Sequence, residues 1–138
     1  MLANKSLMLL LDSSAIINGL RLDEKNKYII TSDCFAELKS MEFRLLAENA
    51  LNLGILEIRD ACPSSVQLIL DFLEKLGDKR LSKADISLLS LAAEFKELKR
   101  DFEVITDDYS IQNVLKILKI PFSAVLQGKV KKAKKWKK

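Results

Sequence analysis

VITDDYSIQNVL, residues 104–115, joins a short apolar run to a threonine, two adjacent acids and then a new amphipathic segment. That order of residue types reads as strand, turn, helix: Val104 and Ile105 suit a buried strand, and Asp107 and Asp108 suit the start of a helix. The same grammar occurs twice upstream. Residues 7–11 form an apolar run followed by Asp12, Ser13, Ser14 and a helical segment at 15–19, and residues 28–31 lead into Ser32 and Asp33. Residues 55–59 and 121–126 are further strand candidates. Pro63 fits the first turn of a helix over 63–76, and 82–99 is the clearest helix. Gly54, Gly77 and Gly128 punctuate the chain, and no internal repeat is present. Strands alternating with helices predict an α/β fold, with a mainly parallel central sheet and helices on both faces. In such a sheet the strand-to-helix turns share one edge, where ligands bind. Asp12 and the pair Asp107/Asp108 are therefore expected at one crevice, although they lie far apart in the chain.

The 138 residues are enough for one domain with a substantial core. Hydrophobic residues make up 49% and charged residues 30%, a globular balance, and no apolar run reaches the roughly 20 residues that span a bilayer. The opening MLANKSLMLLLDSS lacks the small-residue cleavage site of a signal peptide, so a cytoplasmic protein with no membrane partner is expected. Cys34 and Cys62 are far apart without a CxxC spacing, which argues against a disulfide framework or a zinc site; both are expected to be reduced core thiols. The absence of histidine excludes any mechanism that needs imidazole.

The net charge of +4 is unevenly spread. Seven of the 23 basic residues lie in 129–138, leaving 16 against 19 acids up to Gly128, a net charge of −3. A domain over 1–128 followed by a flexible basic tail over 129–138 is the expected division. Lys131, Lys132, Lys134 and Lys135 are candidates for holding a phosphate backbone, and Trp136 for stacking on an unpaired base. A single-sign run is also commonly just a solvated tail, and the phosphate reading requires binding that weakens as salt is raised.

Two more acids stand out. Glu37 shares a helical face with Cys34, Leu38, Met41 and Leu45, which predicts a carboxylate inside an apolar stripe. Asp85 heads a stripe of Leu88, Leu89, Ala92 and Phe95, with Ser87, Ser90, Glu94 and Glu97 on the polar face. Both acids are expected to point inward. Buried carboxylates are costly unless paired or bound to a cation, and several together repel one another. With only oxygen donors available, the cation would be hard, Mg²⁺ or Mn²⁺. Such an ion activates water and stabilises the leaving oxygen in phosphodiester hydrolysis. Structural alternatives stand beside each residue. Asp85 completes a capping-box pattern with Ser82, and Asp12, Asp107 and Asp108 are in position to be helix N-caps. Glu37 could be neutralised by a Lys or Arg, and Ser13, Ser14 and Thr106 are turn formers whose hydroxyls can face the site.

Taken in order, LLLDSSAII, CFAELK, LSKADISLLSLA and VITDDYSIQNV resemble the PIN-domain family over residues 6–126. The resemblance implies a three-layer α/β/α sandwich and a metal-dependent ribonuclease, with Asp12, Glu37, Asp85 and Asp108 as the catalytic acids. It implies ions held by Asp12, Asp85 and Asp108, with Asp107 assisting or only capping; Ser14 and Thr106, whose hydroxyls can face the site, are candidates for substrate contact. The run DYSIQN, 108–113, is similar to the archaeal-type branch of ribosome-assembly endonucleases that trim the 3′ end of small-subunit rRNA. The VapC-like toxin branch shares the acids but is less similar around Gln112 and Asn113. The ribosomal branch continues into a zinc ribbon, whereas this sequence runs to KKAKKWKK without a CxxC pair, being either separated from a ribbon or a stand-alone relative. The expected function is metal-dependent endoribonuclease action on RNA, single-stranded or precursor rRNA, with the small ribosomal subunit as a possible partner. The alternatives are a toxin ribonuclease paired with an acidic antitoxin, and a non-catalytic RNA-binding or assembly scaffold. A phosphatase reading is weaker, because Asp12 is followed by Ser-Ser rather than by a second acid two places on. Amphipathic segments such as 64–76 could face the core or a second subunit in a homodimer.

Overall fold

A computed structural model of the chain describes residues 7–126 and 129–132. The elements run β1 (Met8–Leu11), α1 (Ser13–Ile17), β2 (Lys27–Ile30), α2 (Ser32–Ala36), α3 (Met41–Asn52), β3 (Leu56–Ile58), α4 (Pro63–Leu76), α5 (Lys83–Glu97), β4 (Phe102–Ile105), α6 (Tyr109–Leu118), β5 (Phe122–Leu126) and β6 (Lys129–Lys132). The sheet order is β3-β2-β1-β4-β5-β6, with the first five strands parallel and β6 antiparallel to β5. This is the expected three-layer α/β/α sandwich. The apolar runs are buried because covered strands have no solvent face: Leu10, Leu11, Ile29, Ile30, Val104 and Ile105 are fully buried. Right-handed crossovers place α1 and α3, which touch, on one face of the sheet, and α4, α5 and α6 on the other. The chain moves outward from β1 through β2 to β3, then returns to place β4 on the other side of β1. The point between β1 and β4 is therefore the topological switch, where a crevice opens outside the strands' carboxyl ends. Asp12 follows β1 there, and its N–H donates to the Ile105 carbonyl at 3.0 Å.

Local signals set most of the boundaries. Pro63 begins α4, and Gly77, in the left-handed region at φ 70°, ends it. Three expectations are corrected. The helix drawn through residues 34–45 is two helices. α2 closes at Glu37, and the Ser40 hydroxyl accepts from the Phe43 N–H to start α3 in a new phase. Cys34 and Leu38 remain in the core, but Met41 and Leu45 are exposed and Glu37 lies on the surface rather than in an apolar stripe. Ser90, assigned to a polar face of α5, is fully buried, and its hydroxyl is satisfied by donating to the Ile86 carbonyl. Finally, the basic run does not stay wholly outside the domain, because Lys129–Lys132 extend the sheet by an edge strand paired with β5. Lys134, Lys135 and Trp136 lie outside the described residues.

The two thiols also differ. Cys34 is buried as expected, and that burial pushes its thiol up to about 12. Cys62 is exposed at the N-cap of α4, where hydrogen bonds with Ser64 and Ser65 hold its thiol below the usual range. Since the thiolate is the reactive species, an alkylating reagent at about pH 8 should modify Cys62 quickly and Cys34 only after denaturation. Mass spectrometry of the native protein showing both thiols labelled at similar rates would contradict this.

Candidate active site

The site is built around Asp12, which is 4% exposed. Asp12 occupies the N-cap position of α1, yet its side chain makes no capping hydrogen bond. Instead, one oxygen, Oδ2, accepts from two hydroxyls, Ser14 Oγ at 2.8 Å and Thr106 Oγ1 at 2.9 Å. Each hydroxyl is aimed by a backbone amide of the acidic pair. The Asp107 N–H donates to Ser14 Oγ, and the Asp108 N–H donates to Thr106 Oγ1. Gln112 locks the same turn by donating from Nε2 to the Thr106 carbonyl at 2.9 Å. Two segments 94 positions apart are thereby clamped, and Oδ1 of Asp12 is left uncommitted among the described residues.

The other acids follow a similar pattern. Asp85 does form the capping box, its Oδ2 accepting from the Ser82 N–H at 3.0 Å. Asp108 does cap α6, its Oδ1 accepting from the Ser110 N–H at 2.7 Å. Glu37 Oε1 accepts from Ser13 Oγ at 2.6 Å, which ties the end of α2 to the start of α1. Each acid commits one oxygen to the scaffold and, among the described residues, leaves the other available. The packing of α2 on α5, fastened by a 2.7 Å hydrogen bond between the Thr31 and Ser87 hydroxyls, brings the Glu37 end of one helix to the Asp85 end of the other.

Electrostatics shows that the four acids share one field. Burial is the largest cause that raises the Asp12 carboxyl above its ordinary range. Ser14 and Thr106 oppose the rise, and the charges of Asp85 and Asp108 add to it. Asp85 is raised too, first by desolvation, against the Ser82 amide, with Asp108 and Glu37 contributing repulsion. None of the ion pairs Lys27–Glu57, Arg59–Glu57 and Arg80–Asp78 reaches this cluster. The acids accordingly face one another without one of those cations between them.

Asp107 stands apart from the other four. Its Oδ2 accepts from Asn18 Nδ2 at 2.5 Å and its Oδ1 accepts from the Val125 N–H at 2.8 Å. With each oxygen accepting one hydrogen bond, it braces α1 and β5, unlike the four acids that keep one oxygen uncommitted. Asn18 was not singled out from the sequence, and Gln112 was named there only within the run 108–113, not as a brace. Their only local sign is a polar amide at a helix end and in a helix's first turn.

The side chains with uncommitted atoms in this cluster, among the described residues, are carboxylates, oxygen donors that fit a hard divalent cation. Among the described residues, no three acidic or thiol side chains form a ready-made cage. The fit is therefore to an ion that keeps several waters and takes one or two carboxylates directly, the usual preference of Mg²⁺. Asp12, Asp85 and Asp108, each with an uncommitted oxygen, are the residues from which those one or two direct ligands would come.

The arrangement has known counterparts. The family described as PIN domain of ribonuclease matches residues 9–95, a stretch that contains Asp12, Glu37 and Asp85. The chain is 37% identical over 128 residues to Endoribonuclease Nob1 of Methanothermobacter thermautotrophicus, covering 92% of this chain and 74% of that protein. It is 34% identical to Endoribonuclease Nob1 of Pyrococcus abyssi, over 94% of this chain and 75% of that one, and 32% identical to the Methanocaldococcus jannaschii protein of the same name, over 93% and 61%. A parallel sheet with its acids at the switch point and a family match over most of the domain lead to one conclusion: the chain belongs to the PIN-domain ribonuclease family.

Proposed function

We propose that this protein is an endoribonuclease that depends on Mg²⁺ or Mn²⁺ and acts in maturation of the small-subunit rRNA 3′ end. The observation that carries the chemistry is the paired commitment of the carboxylates, one oxygen fixed by the scaffold and one left free, in Asp12, Asp85, Asp108 and Glu37. Such a cluster is costly on its own terms and becomes useful when it binds a cation. The ion, when bound, would activate water and neutralise charge on the phosphoryl group. Asp12, Asp85 and Asp108 would hold it, and Glu37, through its free oxygen, would orient the attacking water. The water oxygen bonds to phosphorus as the bond to O3′ breaks, giving a 5′-phosphate and a 3′-hydroxyl, and the 2′-hydroxyl takes no part. The likeness to proteins named Endoribonuclease Nob1 supports RNA as the substrate, and the run 108–113 supports the ribosomal role over the toxin role. The lysines of 129–138 would add phosphate attraction that does not depend on sequence.

The test is cleavage of an end-labelled single-stranded RNA spanning a small-subunit rRNA 3′ end, in Mn²⁺ and in EDTA. One dominant cut in Mn²⁺, abolished by EDTA and leaving a 5′-phosphate, is expected. Binding without cutting in any metal would replace the enzyme by an RNA scaffold, and cutting unaffected by EDTA would remove the metal from the mechanism.

A further inference from the structure

We propose that Tyr109 is the stacking platform for a nucleobase beside the cut phosphate, an inference that rests on the ribonuclease reading above. Tyr109 is 79% exposed, whereas every other aromatic side chain among the described residues is buried or half-buried. Leaving a large ring in water forgoes the burial that aromatic side chains usually contribute, so its position calls for a reason. It is the first residue of α6, directly after Asp108. Its backbone is held firmly, because Asp108 caps the helix and Gln112 ties the first turn to the Thr106 carbonyl. The Cα–Cβ bonds of a helix tilt toward its N-terminus, and here that direction is the edge of the sheet that carries the acids. The ring makes no hydrogen bond, ring stacking or cation contact within the described chain.

Physical need and position agree. The ion held by the acids would attract the phosphate but not the base, so holding the nucleotide in register at the cut calls for a further attraction that acts on the base itself. Stacking on an aromatic face supplies it, works with any base and is strongest for unpaired nucleotides. A platform one residue from Asp108 would fix the nucleotide next to the cut and leave sequence choice to contacts elsewhere.

The test compares wild type, Tyr109→Phe and Tyr109→Ala on single-stranded RNAs that carry an abasic nucleotide at each position around the cut. Tyr109→Ala should raise KM by about tenfold with kcat nearly unchanged, and Tyr109→Phe should match wild type. For wild type, one abasic position beside the cut should cost about the same tenfold, and that position should cost Tyr109→Ala nothing more. An unchanged KM in Tyr109→Ala, or an abasic penalty equal in both proteins, overturns the platform while cleavage itself stands. Absence of cleavage by wild type on every intact RNA overturns the ribonuclease reading, and the platform with it. If Tyr109→Ala melts early, the abasic series on wild type and Tyr109→Leu decides: no sensitive position beside the cut overturns the proposal.

Discussion

Asp12→Asn should lower RNA cleavage roughly a thousandfold while raising the melting temperature of the metal-free protein. The two effects share one cause. Asp12 is buried, and burial together with the charges of Asp85 and Asp108 raises its carboxyl above the ordinary value of 3.8. An acid whose folded pKa lies above its unfolded one binds its proton more tightly in the fold. Its destabilising contribution therefore grows as pH rises from about 3.8 through the raised value and is complete above it. Asparagine removes the charge without disturbing the clamp. Its amide oxygen can accept from Ser14 and Thr106 as Oδ2 does, and its NH₂ points a donor toward neighbouring carboxylates. The loss falls on function, since an amide is a poor ligand for a hard cation. Wild type should accordingly melt higher when Mn²⁺ is added, and the variant should show little of that rise. Thermal melts with EDTA and with Mn²⁺, run beside the cleavage assay, check both halves. A variant that cuts within tenfold of wild type, or that melts lower than wild type in EDTA, would remove Asp12 from the centre of the site.

How legible this site was depends on whether a residue's partners are near it in the chain. Asp12 and Asp108 could be placed at one edge because an apolar run followed by capping residues is a local signal, and parallel sheets collect such turns on one side. Asp85 was legible for a similar reason, with its capping role written in the Ser82 spacing. Glu37 was found for a reason that fails. The three-four-eight spacing assumed a continuous helix, but Ser40 restarts the phase, so Glu37 lies on no apolar stripe and is tied to the start of α1 by its hydrogen bond with Ser13. Choosing between Asp107 and Asp108 was beyond local reading. Asp107 is fixed by Asn18 and by the Val125 amide, contacts 89 and 18 positions away that only the assembled sheet creates. Charge alone gave no sign that Lys129–Lys132 pair with β5, because an edge strand with lysines and a solvated tail have the same composition.

Thr106→Val should cost cleavage roughly 10- to 100-fold, the usual penalty for removing a group that orients a metal ligand, and about 2 kcal/mol of stability. Valine nearly matches threonine in shape, so the fully buried position stays filled and only the hydroxyl is lost. That hydroxyl serves two ends, donating to Asp12 Oδ2 and accepting from the Asp108 N–H. Without it the Asp108 amide loses its partner, and Asp12 keeps only Ser14 to hold its orientation. The direction of the pH effect separates this role from a general loosening of the fold. The Thr106 hydrogen bond lowers the Asp12 pKa against burial and repulsion, so its removal raises that pKa further. If cleavage needs Asp12 ionised, the acidic limb of the pH–rate profile must move to higher pH, and part of the lost activity should return as pH is raised. Ser14→Ala should move the limb the same way by removing the other donor, whereas Thr106→Ser, which keeps the hydroxyl, should restore both rate and profile. A rate loss in Thr106→Val with no displacement of the acidic limb would mean that the hydroxyl supports the turn and does not tune the acid.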